Sequence, residues 1–255
     1  MKSDLYVLAY HRVNDIRDDI LSVSTKRFRE QISFFKSQGY RSIALQEAMT
    51  KKPEERNIVI TFDDGYQDNY HCAWPILKEF GFTATIFVTA GYVDEKKQFA
   101  WNDNPVTPQE LDYCLTREQI KTLTSEGVEI GSHTITHPFL AELPLDLAKE
   151  EIQGSKSMLE DIIEQPLFSF CYPSGSFNDE VRNLVATAGF KAAVVTPGSN
   201  TGKVSPGDPY TIQRVGIYRD DNLQSMRLKL SSFWRLASRT SLGGSIRKLR
   251  RLIAN

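Results

Sequence analysis

The sequence predicts an α/β fold in which parallel strands alternate with crossover helices and the sheet closes as a single (β/α) barrel. Three observations carry this. Short β-rich runs alternate with amphipathic helical patterns along most of the chain. A length of 255 residues suits one barrel domain. The residues able to do chemistry follow directly on the β-rich runs, at the strand ends where parallel barrels carry their sites.

Residues 5–10 read as the first strand. Residues 26–38 place Phe28, Ile32 and Phe35 at helical spacing and stop at Gly39, a C-terminal cap. Residues 57–62 form a strand that runs into Asp63 and Asp64. A helix over 69–80 closes at Gly81, and 83–88 is the next strand. The helix over 116–126 opens on the capping-box pattern Thr116-Arg117-Glu118-Gln119 and ends at Gly127, after which 128–130 leads to His133. A long amphipathic helix over 145–164, a strand at 168–172, a helix over 179–188 ended by Gly189 and a strand at 192–196 complete the pattern. No internal repeat, linker or low-complexity segment interrupts it. The loops 91–108 and 197–209 have the length of loops that line binding sites.

With 40% apolar and 25% charged residues and a net charge of -1, the composition is that of a soluble globular protein and excludes neither an acidic nor a basic partner. The average hides an asymmetry. Residues 222–255 hold Arg227, Lys229, Arg235, Arg239, Arg247, Lys248, Arg250 and Arg251 and no acidic residue, which leaves 23 basic against 32 acidic residues elsewhere. The expected organisation is a barrel over 1–221 and a basic amphipathic extension over 222–255. In that tail Leu223, Met226, Leu230, Phe233 and Ala237, then Leu242, Ile246, Leu249 and Ile253, follow helical spacing broken at Gly243-Gly244. Two readings stand: helices packed on the barrel with a solvated basic face, or an interfacial helix on an anionic membrane. Nucleic acid is not expected as a partner, because the basic residues are confined to the tail and no recognition motif accompanies them.

Cys72, Cys114 and Cys171 are an odd number without a CxxC pair, so they read as buried thiols and not as a disulfide framework or a thiolate zinc site. The first apolar stretch is too short for a signal peptide, and no run approaches the roughly twenty apolar residues of a membrane span. The expectation is a cytoplasmic protein, with peripheral membrane contact through the tail.

Three of the four histidines and the aspartate pair fall in four short segments: Tyr10-His11, Thr61-Phe62-Asp63-Asp64-Gly65-Tyr66, Ser132-His133-Thr134-Ile135-Thr136-His137 and Tyr172-Pro173-Ser174-Gly175. Imidazole and carboxylate hold a divalent metal while leaving a position for water, so a metal-dependent hydrolase is the chemistry these residue types support. Side chains alternate along a strand, so Asp63 and Asp64 point different ways and can take different tasks. Gly65 lets the chain turn beneath them. Pro138 biases His137 away from helical geometry, so a strand-to-turn arrangement is expected in place of a helical HxxxH. Alone, an Asp-Asp-Gly is usually a capped turn, and a lone histidine pair is weak. Their joint occurrence after strands is what favours catalysis. His71 lies outside every motif and reads as a packing or solvent-facing residue. Trp74, Trp101 and Trp234 read as core or rim, with Trp101 in the long loop offering a stacking surface for a sugar.

The Thr61 to Gly65 and Ser132 to His137 segments resemble the first two motifs of the polysaccharide deacetylases, the NodB-homology fold of carbohydrate esterase family 4, and the resemblance spans about residues 5–217. It implies a distorted (β/α) barrel and a divalent metal, zinc first, with cobalt, nickel or manganese as further options. It also implies removal of acetyl groups from N-acetylated or O-acetylated sugars of a polysaccharide or lipid-linked glycan. By that resemblance Asp63 is the general base and Asp64, His133 and His137 are the metal ligands. The third motif matches Cys171-Tyr172-Pro173-Ser174-Gly175, with Tyr172, Pro173, Ser174 and Gly175 at the substrate and a backbone N–H near Ser174 at the oxyanion. Here Cys171 stands where the family carries an arginine, and no histidine follows His137 to form the family's late motif. Leu8-Ala9-Tyr10-His11-Arg12-Val13 resembles the early motif of a branch that includes poly-N-acetylglucosamine deacetylases, which makes His11 the general acid. Arg214, in Ile212-Gln213-Arg214-Val215, is the expected replacement cation on a late strand beside Asp63. Another amide hydrolase on the same scaffold, such as a deformylase or cyclic-amide hydrolase, and a non-catalytic glycan-binding protein stay open as alternatives.

Overall fold

Strand β1 (Tyr6–Tyr10) is buried along its whole length, as a parallel strand covered on both faces must be. The computed structural model describes residues 5–54, 56–101, 109–197 and 200–231. Within them β1 is followed by a small parallel pair, β2 (Arg12–Val13) and β3 (Ser22–Val23), and by α1 (Thr25–Ser37), capped by the Ser24 hydroxyl. Next come β4 (Arg41–Ser42), α2 (Leu45–Thr50) and β5 (Asn57–Phe62), which is buried at every position. Then follow α3 (Trp74–Phe80), β6 (Thr85–Val88), α4 (Arg117–Ser125) and β7 (Glu129–Ser132). The rest is α5 (Leu145–Ile163), β8 (Ser169–Cys171), α6 (Asp179–Thr187), β9 (Ala192–Val194), β10 (Val215–Gly216) and α7 (Leu223–Lys229).

The strands pair in parallel in the order β10-β1-β5-β6-β7-β8-β9, with β4 on the lower half of β5 and β6 on its upper half. Val194 of β9 bridges Ile212, and Val215 and Gly216 pair with Leu8 and Ala9 of β1. Residues 212–216 therefore pass from one sheet edge to the other and close the distorted barrel that the sequence predicts. A large apolar core lies between the sheet and the outer helices. A second, smaller one contains Val7, Val59, Phe87, Cys171, Val194 and Ile212 inside the barrel, with Leu45 and Ala48 of α2 against it.

The helix expected over 69–80 apart, the elements predicted up to residue 196 are present with ends that agree or differ by one or two residues, and the Thr116/Gln119 capping box forms. Five elements were not legible: β2, β3, β4, α2 and β10, all short. The helix expected over 69–80 opens instead with a π-helical turn, Asn69–Ala73, before α3. Among the described residues no helix is long and apolar enough to cross a membrane. Of the tail, Met226 packs into the core, the Tyr6 hydroxyl donates to the Leu230 carbonyl, and buried Lys229 is bonded to Asp221 and to the Gly216 carbonyl. The expectations for residues 232–255, including Phe233, Trp234 and the six basic residues from Arg235 onward, lie outside the described residues.

Candidate active site

The buried strand β5 delivers both aspartates to the mouth of the barrel, and the backbone then turns sharply: Asp64 and Gly65 have φ of 73° and 77°. A side chain at Gly65 would meet the Val88 backbone at 3.1 Å, so the position needs glycine for room as well as for conformation. The turn sends the two carboxylates to opposite neighbourhoods.

Asp63 faces inward to Arg214. The guanidinium donates from Nη1 to Asp63 Oδ1 (2.6 Å) and from Nη2 to Oδ2 (2.8 Å), a bidentate pair. Its remaining donors reach the Val195 carbonyl (3.0 Å), Thr61 Oγ1 (3.0 Å) and Cys171 Sγ (3.2 Å). Val215 pairs with Leu8, below the level of Asp63, so Arg214 enters from lower in the barrel and its side chain rises through the interior to the strand end. Burial pushes the Asp63 carboxyl up, but the charge and hydrogen bonds of Arg214 outweigh it and hold it well below the usual carboxylate range. Thr61 is a contact that sequence reading did not single out.

Asp64 faces His133 and His137. The His133 Nε2 and His137 Nε2 atoms stand 3.5 and 3.6 Å from Asp64 Oδ1, and one ligand atom from each residue lies within 4.8 Å of the others. His133 Nδ1 donates to the Cys171 carbonyl at 2.8 Å, which fixes the ring and turns Nε2 toward the aspartate. Burial, and next the charge of His133, lower the His137 pKa to about 4, so His137 is neutral at pH 7.

The turn between the histidines is strained, with φ of 68° at Thr134 and 65° at His137, and a β-branched residue in that region is a true outlier. The surroundings hold it there. Glu151 of α5 accepts from the backbone of Ile135 (2.8 Å) and Thr136 (2.9 Å) and from the Thr136 hydroxyl (2.6 Å). The His137 N–H donates to Thr134 Oγ1 at 2.9 Å, and Ala90 and Gly91 donate to the turn's carbonyls. Glu151, fourteen residues beyond His137, carries no local sequence signal for this role.

His11 lies just past β1 with Nε2 at 3.8 Å from Asp63 Oδ2. In the third segment the Tyr172 ring is fully buried and stacked on Phe177 at 4.7 Å, so only its backbone faces the site. Ser174 is exposed in a left-handed conformation (φ 52°), and the Gly175 N–H donates to the Tyr172 carbonyl within the same turn. Trp101 is half-buried and stacks on His137 at 4.0 Å and on Phe99 at 4.6 Å, with Tyr92 edge-on at 5.5 Å. The indole thus walls the His137 side of the site. His71 is remote, exposed and within 3.0 Å of the Gln119 amide.

The donor set fits a divalent metal. Three donors each about 2.0–2.2 Å from a tetrahedral zinc would stand roughly 3.4 Å apart, close to the separations found between Asp64 and the two imidazoles. A second grouping, Asp63, His133 and Cys171, has comparable spacing, but Arg214 already occupies Asp63 and reaches the sulfur.

The protein-family model for polysaccharide deacetylase matches residues 50–193. Among curated proteins, the polysaccharide deacetylase-type protein YxkH of Bacillus subtilis (strain 168) is 32% identical over 201 residues, covering 76% of this chain and 66% of that protein. The poly-beta-1,6-N-acetyl-D-glucosamine N-deacetylase of Escherichia coli (strain K12) is 31% identical over 137 residues, covering 50% of this chain and 20% of its own length. The chain thus spans less than two thirds of these relatives. In fold it is similar to the Streptococcus pyogenes deacetylase PplD (TM-score 0.76, 24% identity, 89% of this chain and 98% of that one) and to IcaB from Ammonifex degensii (TM-score 0.73, 24% identity, 89% and 97%). The model match alone takes in more than half of the sequence, and the chain belongs to the polysaccharide deacetylase family.

Proposed function

We propose that this chain is a metal-dependent deacetylase that hydrolyses the acetamide of N-acetylated sugars in a glycan, with O-acetylated sugars as the second substrate class. The observation that carries the proposal is the division of labour at the end of β5: a carboxylate claimed by an arginine beside a carboxylate that shares its oxygen with two imidazoles. Relatives named for poly-β-1,6-N-acetylglucosamine support that polymer as the first substrate to try.

In this reading Asp64, His133 and His137 hold a divalent metal, zinc first. Bound there, zinc supplies an activated water and polarises the acetyl carbonyl. Asp63, kept ionised by Arg214, accepts the proton of the attacking water. A backbone N–H near Ser174 is the donor assigned to the developing oxyanion. His11 delivers a proton from Nε2 to the departing nitrogen, which leaves poorly until protonated. Arg214 reaches the carboxylate beside which Cys171 replaces the family's arginine, and this favours catalysis over a binding-only role.

The test is acetate release from N-acetylglucosamine oligomers and from an O-acetylated glycan with zinc or cobalt supplied. The expected result is metal-dependent release that falls to background in Asp64→Asn and in chelated protein. Protein that binds no divalent metal, or release that survives Asp64→Asn, would sink the proposal.

A further inference from the structure

His11 presents a positioning problem. It sits on a one-residue link between β1 and β2, and its ring makes no fixed bond on the far side: Nδ1 is buried and has no hydrogen-bond partner among the described residues. A general acid must nevertheless be aimed within a few tenths of an ångström, since about 1 Å of misplacement costs on the order of a hundredfold in rate. The aim therefore has to come through the backbone.

The backbone is held on both sides of the residue. The Tyr10 carbonyl accepts from the Asp63 N–H at 3.0 Å. The His11 carbonyl accepts from Asn69 Nδ2 at 2.9 Å. Asn69 Nδ2 also donates to Asp68 Oδ1 (2.8 Å), while Asp68 Oδ2 accepts from Asn14 Nδ2 (2.6 Å) on the far side of β2. Arg12, the residue after His11, brings Nε to 3.6 Å from the same oxygen. Asn14, Asp68 and Asn69 are all at most 1% exposed. Buried polar side chains cost free energy unless paired, so this arrangement specifies one geometry for the segment 11–14.

Local structure has been given up to make these contacts. Asp68 already has right-handed helical geometry (φ -62°, ψ -24°), and its side chain makes no cap bond to the turn that follows. The turn it precedes is π-helical, closed by the Trp74 N–H on the Asn69 carbonyl five residues back, a geometry that is rare and concentrated at functional sites. Both side chains are spent on the His11 segment.

We propose that Asn69, braced by Asp68, is a positioning residue for His11. This rests on the reading of His11 as the acid that protonates the departing nitrogen. An amide needs that proton and an aryl ester, whose phenolate leaves unaided, does not.

The experiment compares zinc-loaded full-length protein on N-acetylglucosamine oligomers and on 4-nitrophenyl acetate. Asn69→Asp keeps the shape but replaces the donor to the His11 carbonyl with an acceptor. The expected result is a kcat on the amide lower by about tenfold to a hundredfold, with KM and zinc content unchanged and the ester rate within about threefold. In a His11→Ala background the same change should cost nothing further on the amide. Equal losses on both substrates, or a loss that adds in full to that of His11→Ala, would overturn the role. Should Asn69→Asp not fold by circular dichroism, Asn14→Ala, which unties Asp68 without touching His11, should show the same amide selectivity at about fivefold. A His11→Ala variant that loses amide and ester cleavage equally would remove the acid assignment and the positioning role with it. A selective His11→Ala beside an unselective Asn69→Asp would remove the positioning role alone.

Discussion

Asp63 and Asp64 share a strand end, near-complete burial and a charge, yet their surroundings treat them in opposite ways. Asp63 is met by a permanent cation at hydrogen-bonding distance on both oxygens, with Thr61, Val195 and Cys171 using the remaining donors of the same arginine. Asp64 is met by two imidazoles at 3.5 and 3.6 Å, one of them already committed through its other nitrogen to the Cys171 carbonyl. A buried carboxylate needs compensation. The fold supplies it in full for the first; for the second it supplies two imidazoles, which in the proposed reading share the carboxylate with an ion. The difference teaches that the site is two half-sites set by one backbone turn, each of which should fail separately.

The harshest break of that comparison is Arg214→Met, which keeps most of the volume and removes the charge. Asp63 would then be a buried carboxylate without a counter-ion, a change that costs about 3–5 kcal/mol in comparable pairs. The expected outcome in urea denaturation is a loss of that size, largely recovered in the Arg214→Met, Asp63→Asn double variant. Zinc affinity should stay near wild type, because the hydrogen bonds of Arg214 go to Asp63, Thr61, Val195 and Cys171 and not to the side chains of Asp64, His133 or His137. A loss below about 1 kcal/mol, or zinc binding that collapses with the arginine, would show that the half-sites are one unit.

A smaller effect is expected on the other half. The turn joining the two histidines holds two residues in the left-handed region, and Glu151 satisfies three of its donors. Glu151→Ala should lower zinc affinity about tenfold to a hundredfold, the range seen when partners of metal ligands are removed. Competition with a chromogenic chelator measures it. Unchanged affinity would mean that Thr134 and the Ala90 and Gly91 amides hold the turn alone.

Much of this was legible in the sequence, for physical reasons that also mark its limits. Asp63, Asp64, His133 and His137 announce themselves because each follows a strand whose apolar run and closing turn are local patterns. The π-turn at Asn69 was misread as ordinary helix because Asp68 and Asn69 are good helix-start residues, and only tertiary partners reveal that they serve His11. Helix α2 against the barrel interior and strand β10 are too short for periodicity to register. That Arg214 reaches Asp63 depends on the register of β10 against β1, which no local pattern encodes. That Trp101 stacks on His137 likewise depends on how the loop after β6 folds back, which no local pattern encodes.

The contrast between claimed and unclaimed carboxylates recurs away from the metal, where pH can test it most gently. Asp112 is bonded to Arg12 and Arg17; burial raises its pKa, but the Arg17 bond, the Gln109 N–H and Arg12 outweigh this and bring it to about 2. Asp68 is held chiefly by amides, and burial raises it to about 6 despite Arg12 at 3.6 Å. The signs are opposite. Asp112, depressed in the folded state, contributes stability that is present above its ordinary value near 3.8 and lost as pH falls toward 2. Asp68, raised in the folded state, contributes stability that is present below 3.8 and lost as pH rises through 6. Each contribution is on the order of 2 kcal/mol, so the two act on opposite sides of pH 4 and with opposite slopes. Thermal melts from pH 2 to 8, read as the difference between each variant and wild type, should show Asp112→Asn changing the pH dependence between about 2 and 4 and Asp68→Asn changing it between about 4 and 6. If both variants move the same side, the arginines and not the amides decide the charge of every buried carboxylate around this site, and the distinction drawn between Asp63 and Asp64 loses its generality.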